Sequence, residues 1–173
     1  MKQSFLAELR WRGLFHQCTA AAELETHLAT PGRIGYCGFD PTADSLTIGN
    51  LVPIQMLAHW QAAGHSPVAL IGGGTGMIGD PSGRDAERPL LTRERVEANV
   101  AGQRRIFERL LDFDPKRPNP ALIVNNGDWL AEVGFLEFLR DVGKHFSVNA
   151  MVQKEAVRER LENRNQGISY TEF

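Results

Sequence analysis

Arg33-Ile-Gly-Tyr-Cys-Gly-Phe-Asp-Pro-Thr-Ala-Asp-Ser-Leu-Thr-Ile-Gly-Asn50 is the stretch on which the fold turns. Arg33 to Phe39 carries strand-forming residues interrupted by two glycines. Asp40-Pro41-Thr42 breaks the strand. The run from Leu46 to Ala62 is apolar enough for a buried helix, and Pro53 limits where it begins. Proline is tolerated in a first helical turn, whose N–H groups lack partners anyway. The helix is therefore expected to start between Gly49 and Leu51. That leaves N–H groups near Gly49 and Asn50 unpaired at the positive end of a helix dipole, just past a strand, where phosphate binds well. Gly38 and Gly49 lack a β-carbon, so a flat or bulky ligand can lie against the backbone there.

The rest of the chain fits one domain or most of one. It has 173 residues, 42% hydrophobic, with a formal net charge of −2. Nothing in that balance attracts nucleic acid globally, so any RNA contact has to come from a local basic patch. The two cysteines, Cys18 and Cys37, stand in unrelated contexts, and the five histidines are scattered, so no zinc-ligand spacing appears. No metal held by the protein is expected. Free thiols and no recognisable leader lead us to expect a cytoplasmic setting, and no apolar run approaches membrane-spanning length. The chain ends on Gly167-Ile-Ser-Tyr-Thr-Glu-Phe173, where a domain rarely stops, so it is expected to be a fragment.

Residues 1–32 read as a helical lead-in. One segment runs from about Ser4 to Gln17 and another from Ala20 to Leu28, stopped by Pro31-Gly32. Residues 33–173 read as an α/β, Rossmann-like core. After the Pro53 helix, Val68-Ala-Leu-Ile71 is a short buried strand leading into Gly72-Gly-Gly-Thr-Gly-Met-Ile-Gly-Asp-Pro-Ser-Gly83. Strand, helix and strand in this span make a βαβ unit and hence a parallel sheet flanked by helices. Loops at the carboxyl ends of such strands form the ligand crevice. Asp40 and Asp80 both fall in these loops, as ligands for an ammonium or hydroxyl group or as loop braces. Thr92 to Leu111 reads as a helix with Thr92 as N-cap and Val96, Val100, Phe107, Leu110 and Leu111 on its buried face. Ala121 to Val124 is a third parallel strand, followed by a crevice-side loop, Asn125 to Trp129. Helices are expected over Phe135–Phe146 and Asn149–Asn163.

Gly74-Thr-Gly-Met-Ile-Gly79 matches the dinucleotide fingerprint GxGxxG. That motif needs a helix opening directly from the glycines and an acid ending a second strand about 20 residues on. Asp80-Pro81-Ser82-Gly83 follows instead, and the position for the acid falls inside the Thr92 helix, so a dinucleotide is not expected. No Walker A sequence and no GxSxG are present.

Four stretches together resemble bacterial tyrosyl-tRNA synthetases: Tyr36 to Asn50; Gly79 to Gly83 with Glu87-Arg88; Asp141 to Asn149; and Gly167 to Phe173. The resemblance runs through nearly the whole chain in the same order. It implies the N-terminal part of a class I catalytic domain that activates L-tyrosine with ATP and passes tyrosyl to tRNA(Tyr). Tyr36 would bind the phenolic hydroxyl of the substrate. Thr75 and Asp80 would receive its amino group, with Asn126 and Trp129 supporting them. Cys37, Gly38, Gly49 and Asn50 would lie along the nucleotide, and Asp40 beside the reacting centre. Thr42 and Thr47 would face the leaving phosphates, and Arg84 and Arg88 would bring positive charge to pyrophosphate. Magnesium would arrive on the ATP phosphates.

The resemblance also places the Phe135–Phe146 helix and Tyr170 in a homodimer interface, against the simpler reading of a monomer core. It places Lys154 and Arg158 at the tRNA acceptor stem, against a solvated helix face. Two departures stand out. The family signature usually begins with histidine, and this chain has Thr47. The rest of the tyrosine pocket, the lysine-rich signature loop and the anticodon-binding region are absent. The 173-residue piece alone is therefore expected not to activate tyrosine. The competing reading is a truncated, non-catalytic paralogue acting as an RNA-binding or dimerising module.

Overall fold

Three strands alternate with helices, and their order decides everything above them. The computed structural model describes residues 4–78, 91–154, 157, 158 and 161. Two short helices lead in, α1 (Phe5–Trp11) and α2 (Ala21–Leu28). Then come β1 (Ile34–Phe39), α3 (Ile48–Ala62), β2 (Ser66–Ile71), α4 (Gly73–Gly76), α5 (Arg93–Leu110) and β3 (Leu122–Asn125). Beyond the sheet lie α6 (Gly127–Leu130), α7 (Phe135–Asp141), a 3₁₀ turn over Gly143–His145 and α8 (Val148–Val152). The strands pair in parallel in the order β1-β2-β3, with Tyr36 beside Val68 and Val68 beside Leu122. This is the expected Rossmann-like α/β sheet. No helix among the described residues is long and apolar enough to cross a membrane.

Period-two alternation splits the strands into two faces. One face is the core: Phe39, Ala69 and Ile71 pack with Ile54 and Leu57 of α3 and with Phe107 of α5. Phe39 and Phe107 meet edge to face at 4.9 Å. On the other face Ile34 is 73%, Tyr36 72% and Leu122 49% exposed. Gly35 belongs to the covered face for a steric reason. A β-carbon there would come within 2.8 Å of the Trp60 ring, which lies flat on the strand. Trp60 donates Nε1–H to the Ser66 carbonyl and meets Phe5 edge-on, tying α1 to α3 and β2.

Several expected boundaries move. The helix α1 ends at Trp11, because Gly13 turns the chain at φ +70°. Helix α3 starts at Ile48, one residue before the expected range, so Pro53 sits in its second turn. Packing of Ile54 and Leu57 against the sheet outweighs the one N–H that proline withholds from the Gly49 carbonyl. The single helix expected over Phe135–Phe146 ends at Asp141, and the next breaks at Gln153–Lys154. The buried face of α5 is Val96, Asn99, Gly102, Gln103 and Phe107, with two amides where only apolar residues had been expected.

At the amino ends of β2 and β3, a buried polar knot joins the end of α3 to the turn before β3. Gln61 donates to the carbonyls of Asp112 (2.7 Å) and Asn119 (3.1 Å) and accepts from Asp112 N–H (3.0 Å). Asn119 donates to the carbonyls of Gln61 and His65.

Candidate active site

The carboxyl ends of the three strands are stitched together by their backbones. Gly72 N–H donates to the Phe39 carbonyl at 2.9 Å, and Asn126 N–H donates to the Ile71 carbonyl at 2.9 Å. The loops leaving β1, β2 and β3 therefore share one crevice. Tyr36 and Gly38 lie on the open face of β1 that leads into it, with Tyr36 exposed. A β-carbon on Gly38 would meet nothing within 4 Å, so this part of the strand is bare backbone.

The loop after β1 is held by its carbonyls. Asn99 of α5 donates Nδ2–H to the Pro41 carbonyl at 2.8 Å. Gln103 donates Nε2–H to the carbonyls of Asp40 (2.9 Å) and Ala43 (3.1 Å). Gly102 between them leaves room for the loop, since a β-carbon there would overlap the Asp44 carbonyl oxygen. The side chains of Asp40 and Thr42 stay exposed. At the far end, Thr47 caps α3. Its N–H and its hydroxyl both donate to Asn50 Oδ1, at 3.0 and 2.8 Å, while Asn50 N–H donates to the Thr47 carbonyl at 3.0 Å. The Asn50 N–H is thus taken, contrary to the sequence expectation. Gly49 remains open: its nearest neighbour to an added β-carbon would be Thr47 Oγ1 at 3.6 Å.

The loop after β2 is held the opposite way, by its N–H groups. Gly73 N–H donates to Asn125 Oδ1 (3.1 Å) and Gly74 N–H to Asn126 Oδ1 (2.7 Å). Gly76 and Met77 N–H turn inward onto the carbonyls of Gly72 and Gly74. A β-carbon on Gly73 would overlap the Asn125 amide, so the contact demands glycine. With those donors spent, the described part of this glycine run has no N–H of Gly73, Gly74, Gly76 or Met77 left to cradle a phosphate, a physical reason to read the GxGxxG match as misleading. What it offers is acceptor capacity. The Thr75 hydroxyl donates to the Gly72 carbonyl at 3.2 Å and accepts from Asn126 Nδ2–H at 3.4 Å, which leaves one oxygen lone pair for another donor. Gly72 draws the two loops close: a β-carbon on it would sit 3.4 Å from Asp40 Oδ1.

Gly38, Asp40, Thr75 and Asn126 therefore stand at the carboxyl ends of the strands, Tyr36 lies upstream on the open face of β1, and Thr42, Thr47, Gly49 and Asn50 follow on the next loop and the start of α3. Cys37 points to the α3 face, opposite Tyr36, and packs on the core. Burial raises its thiol pKa above the usual range, and a backbone hydrogen bond to Gly38 lowers it in part. Trp129, on α6, is 44% exposed. Lys154 and Arg158 are exposed beyond α8. Asp80, Arg84, Arg88 and Tyr170 lie outside the described residues. Asn99, Gly102, Gln103 and Asn125 were not anticipated. A polar residue recurring in a helix's apolar stripe, as Asn99 and Gln103 do, was the available signal.

Comparison with known proteins completes the picture. The family described as tRNA synthetases class I (W and Y) matches residues 32–173. The chain belongs to that family. Among curated synthetases it is 57% identical over 170 residues to the tyrosine–tRNA ligase of Opitutus terrae, covering 98% of this chain and 40% of that one. It is 54% identical over 168 residues to a tyrosine–tRNA ligase of Aliivibrio fischeri, covering 97% of this chain and 39% of the other. The chain thus spans about 40% of the length of such relatives. A C-terminally truncated mitochondrial tyrosyl-tRNA synthetase of Aspergillus nidulans superimposes with a TM-score of 0.83 at 28% identity, over 99% of this chain and 50% of that one. The Coccidioides posadasii counterpart gives 0.77 at 29% identity, over 99% and 48%.

Proposed function

We propose that this chain is the N-terminal part of the catalytic domain of a tyrosine–tRNA ligase. The observation that carries the reading is the pairing of opposite loops at one crevice. One loop has its carbonyls tied down, and the other has its N–H groups tied down. The first suits a nucleotide anion and the second an ammonium group, in a family that activates tryptophan or tyrosine. Tyr36, on the strand that leads into the first loop, suits a phenol, since an indole has no hydroxyl to hold.

In this reading the tyrosine carboxylate attacks the α-phosphate of ATP, and pyrophosphate leaves. A tRNA ribose hydroxyl then attacks the acyl carbon, and AMP leaves. No protein nucleophile is needed. The protein aligns the substrates and binds the charge that builds at the phosphates. Tyr36 holds the phenol, while Thr75, Asn126 and Asp80 hold the amino group. Gly38, Asp40, Gly49, Asn50 and the neighbouring Cys37 backbone line the nucleotide. Thr42, Thr47, Arg84 and Arg88 serve the departing phosphates. Magnesium travels on the ATP phosphates.

Lys154 and Arg158 touch the acceptor stem of tRNA(Tyr). The exposed apolar side chains Phe135, Leu136 and Phe146 on and after α7 suit a homodimer interface. The protein works in the cytoplasm, and the 173-residue piece by itself does not activate tyrosine. Thr47, bonded to Asn50 instead of reaching into the crevice, favours one second reading, a paralogue without catalysis that binds RNA or dimerises. Amino-acid-dependent ATP–pyrophosphate exchange by the full-length protein decides between them. Exchange with tyrosine and not with tryptophan is expected. Exchange with neither amino acid would support the second reading.

A further inference from the structure

We propose that Asn99 and Gln103 are positioning residues for the nucleotide half of the reaction, acting through the loop that carries Asp40 and Thr42. The inference rests on the site reading above. Both side chains are 1% exposed on the core-facing side of α5. Each spends its amide N–H groups on loop carbonyls, and together they fix those of Asp40, Pro41 and Ala43. Three of the four carbonyls from Asp40 through Ala43 are thereby fixed, with Thr42 between them.

Stability alone does not account for this choice. Asn99 Oδ1 and Gln103 Oε1 are buried and have no hydrogen-bond partner among the described residues. A buried acceptor left unmade is costly, and leucine or methionine would fill the same space without one. What an apolar residue cannot do is set the position of a strand-end loop from behind. The loop's carbonyls are drawn toward α5, which fixes where Asp40 and Thr42 stand at the strand end. Gly102 serves the same end by letting the helix approach the Asp44 carbonyl. The three residues form one cradle, Asn99-x-x-Gly102-Gln103, under the nucleotide loop.

Among the described residues the cradle's hydrogen bonds all go to the nucleotide loop, although α5 packs beside α4 and Pro41 lies next to Gly76. Thr75 and Asn126 are held by β3 and its asparagines, and the two sets of bonds share no side chain. Loosening the cradle should therefore affect one substrate.

The test uses the full-length protein. Gln103→Met and Asn99→Leu keep the volume and delete the donors. In tyrosine-dependent pyrophosphate exchange, kcat/KM for ATP should fall roughly 10- to 100-fold, the scale of a small misplacement of reacting groups. The tyrosine Kd from equilibrium dialysis should stay at the parent value. Gly102→Ala keeps both amides and pushes the Asp44 carbonyl from below, and a denaturant melt of every variant separates a folding defect from a local shift. It should give the same ATP-only change. A parent without tyrosine-dependent exchange overturns the site reading and this inference with it. An active parent whose variants shift both substrates alike, or neither, overturns the inference alone.

Discussion

The loops after β1 and β2 leave neighbouring parallel strands at the same edge, yet they are anchored with opposite polarity. The first is gripped by its carbonyl oxygens through α5 amides, the second by its N–H groups through Asn125 and Asn126. The anchors from outside take carbonyls in the first loop and N–H groups in the second, where the carbonyls of Gly72 and Gly74 accept from within the loop. A glycine-rich sequence is therefore not a phosphate site by composition. It becomes one only if its N–H groups are unspent, and here those of Gly73 and Gly74 are spent.

The strongest way to break the contrast is to add a methyl group to the second loop. Gly73→Ala would drive a β-carbon into the Asn125 amide. We expect tyrosine binding to fall by more than about 100-fold in the full-length protein, because the Asn125 amide can yield only by giving up its bonds to the Gly73 and Gly127 N–H groups. Equilibrium dialysis reads it, and tyrosine binding at the parent level would show that this contact does not shape the site.

Asn126→Ala is the next test. It removes the acceptor for Gly74 N–H and the partner of Thr75, so the tyrosine KM should rise roughly tenfold while the ATP KM holds, as expected for one lost charge-assisted contact. A larger change for ATP than for tyrosine would reverse the assignment of the loops.

A control sharpens the comparison. Gln61 makes an anchor of the same kind, but between α3 and the turn before β3. Gln61→Leu should lower stability by about 2–4 kcal/mol in denaturant melts, since several buried backbone groups lose partners. Kinetics measured below the melting temperature should not change for either substrate. If they do, polar anchoring anywhere in the domain affects the site, and the loop-by-loop account fails.

The smallest effect concerns His65, buried beside Trp60 at a ring distance of 4.5 Å. Burial, then Arg33 and His27 nearby, lower its pKa from the ordinary 6.5. Protonation is thus disfavoured in the folded state. Its contribution to stability is complete above the unfolded-state pKa and is lost as pH falls through the folded-state value. Melting temperature should decline below about pH 6.5, and His65→Phe should flatten that decline. A variant with the parent's pH profile would assign the decline to other groups.

Much of this was legible in the sequence, for identifiable reasons. The βαβ unit followed from Arg33–Phe39, Pro53 and Val68–Ile71, because short apolar runs bounded by Pro and Gly leave few alternatives. Thr92 as the cap of α5 followed from its chemistry and is seen, accepting from Arg95 N–H. The anchors did not follow. Asn99 and Gln103 break the apolar stripe of α5, but their partners lie about 60 positions earlier and only the folded chain brings them together. Asn125 and Asn126 read as loop residues, and only contact with the Gly72–Thr75 turn shows which of their atoms matter. The start of α3 was off by one residue, because packing of Ile54 and Leu57 outweighed the local preference for proline in the first turn.

The central claim is that two oppositely anchored loops sort two substrates within one crevice. The direct measurement is a crossed comparison in the full-length protein of Gln103→Met with Asn126→Ala, each assayed for ATP KM and tyrosine Kd. The account predicts that the first variant weakens ATP alone and the second tyrosine alone. Parallel losses of both substrates in both variants would contradict it.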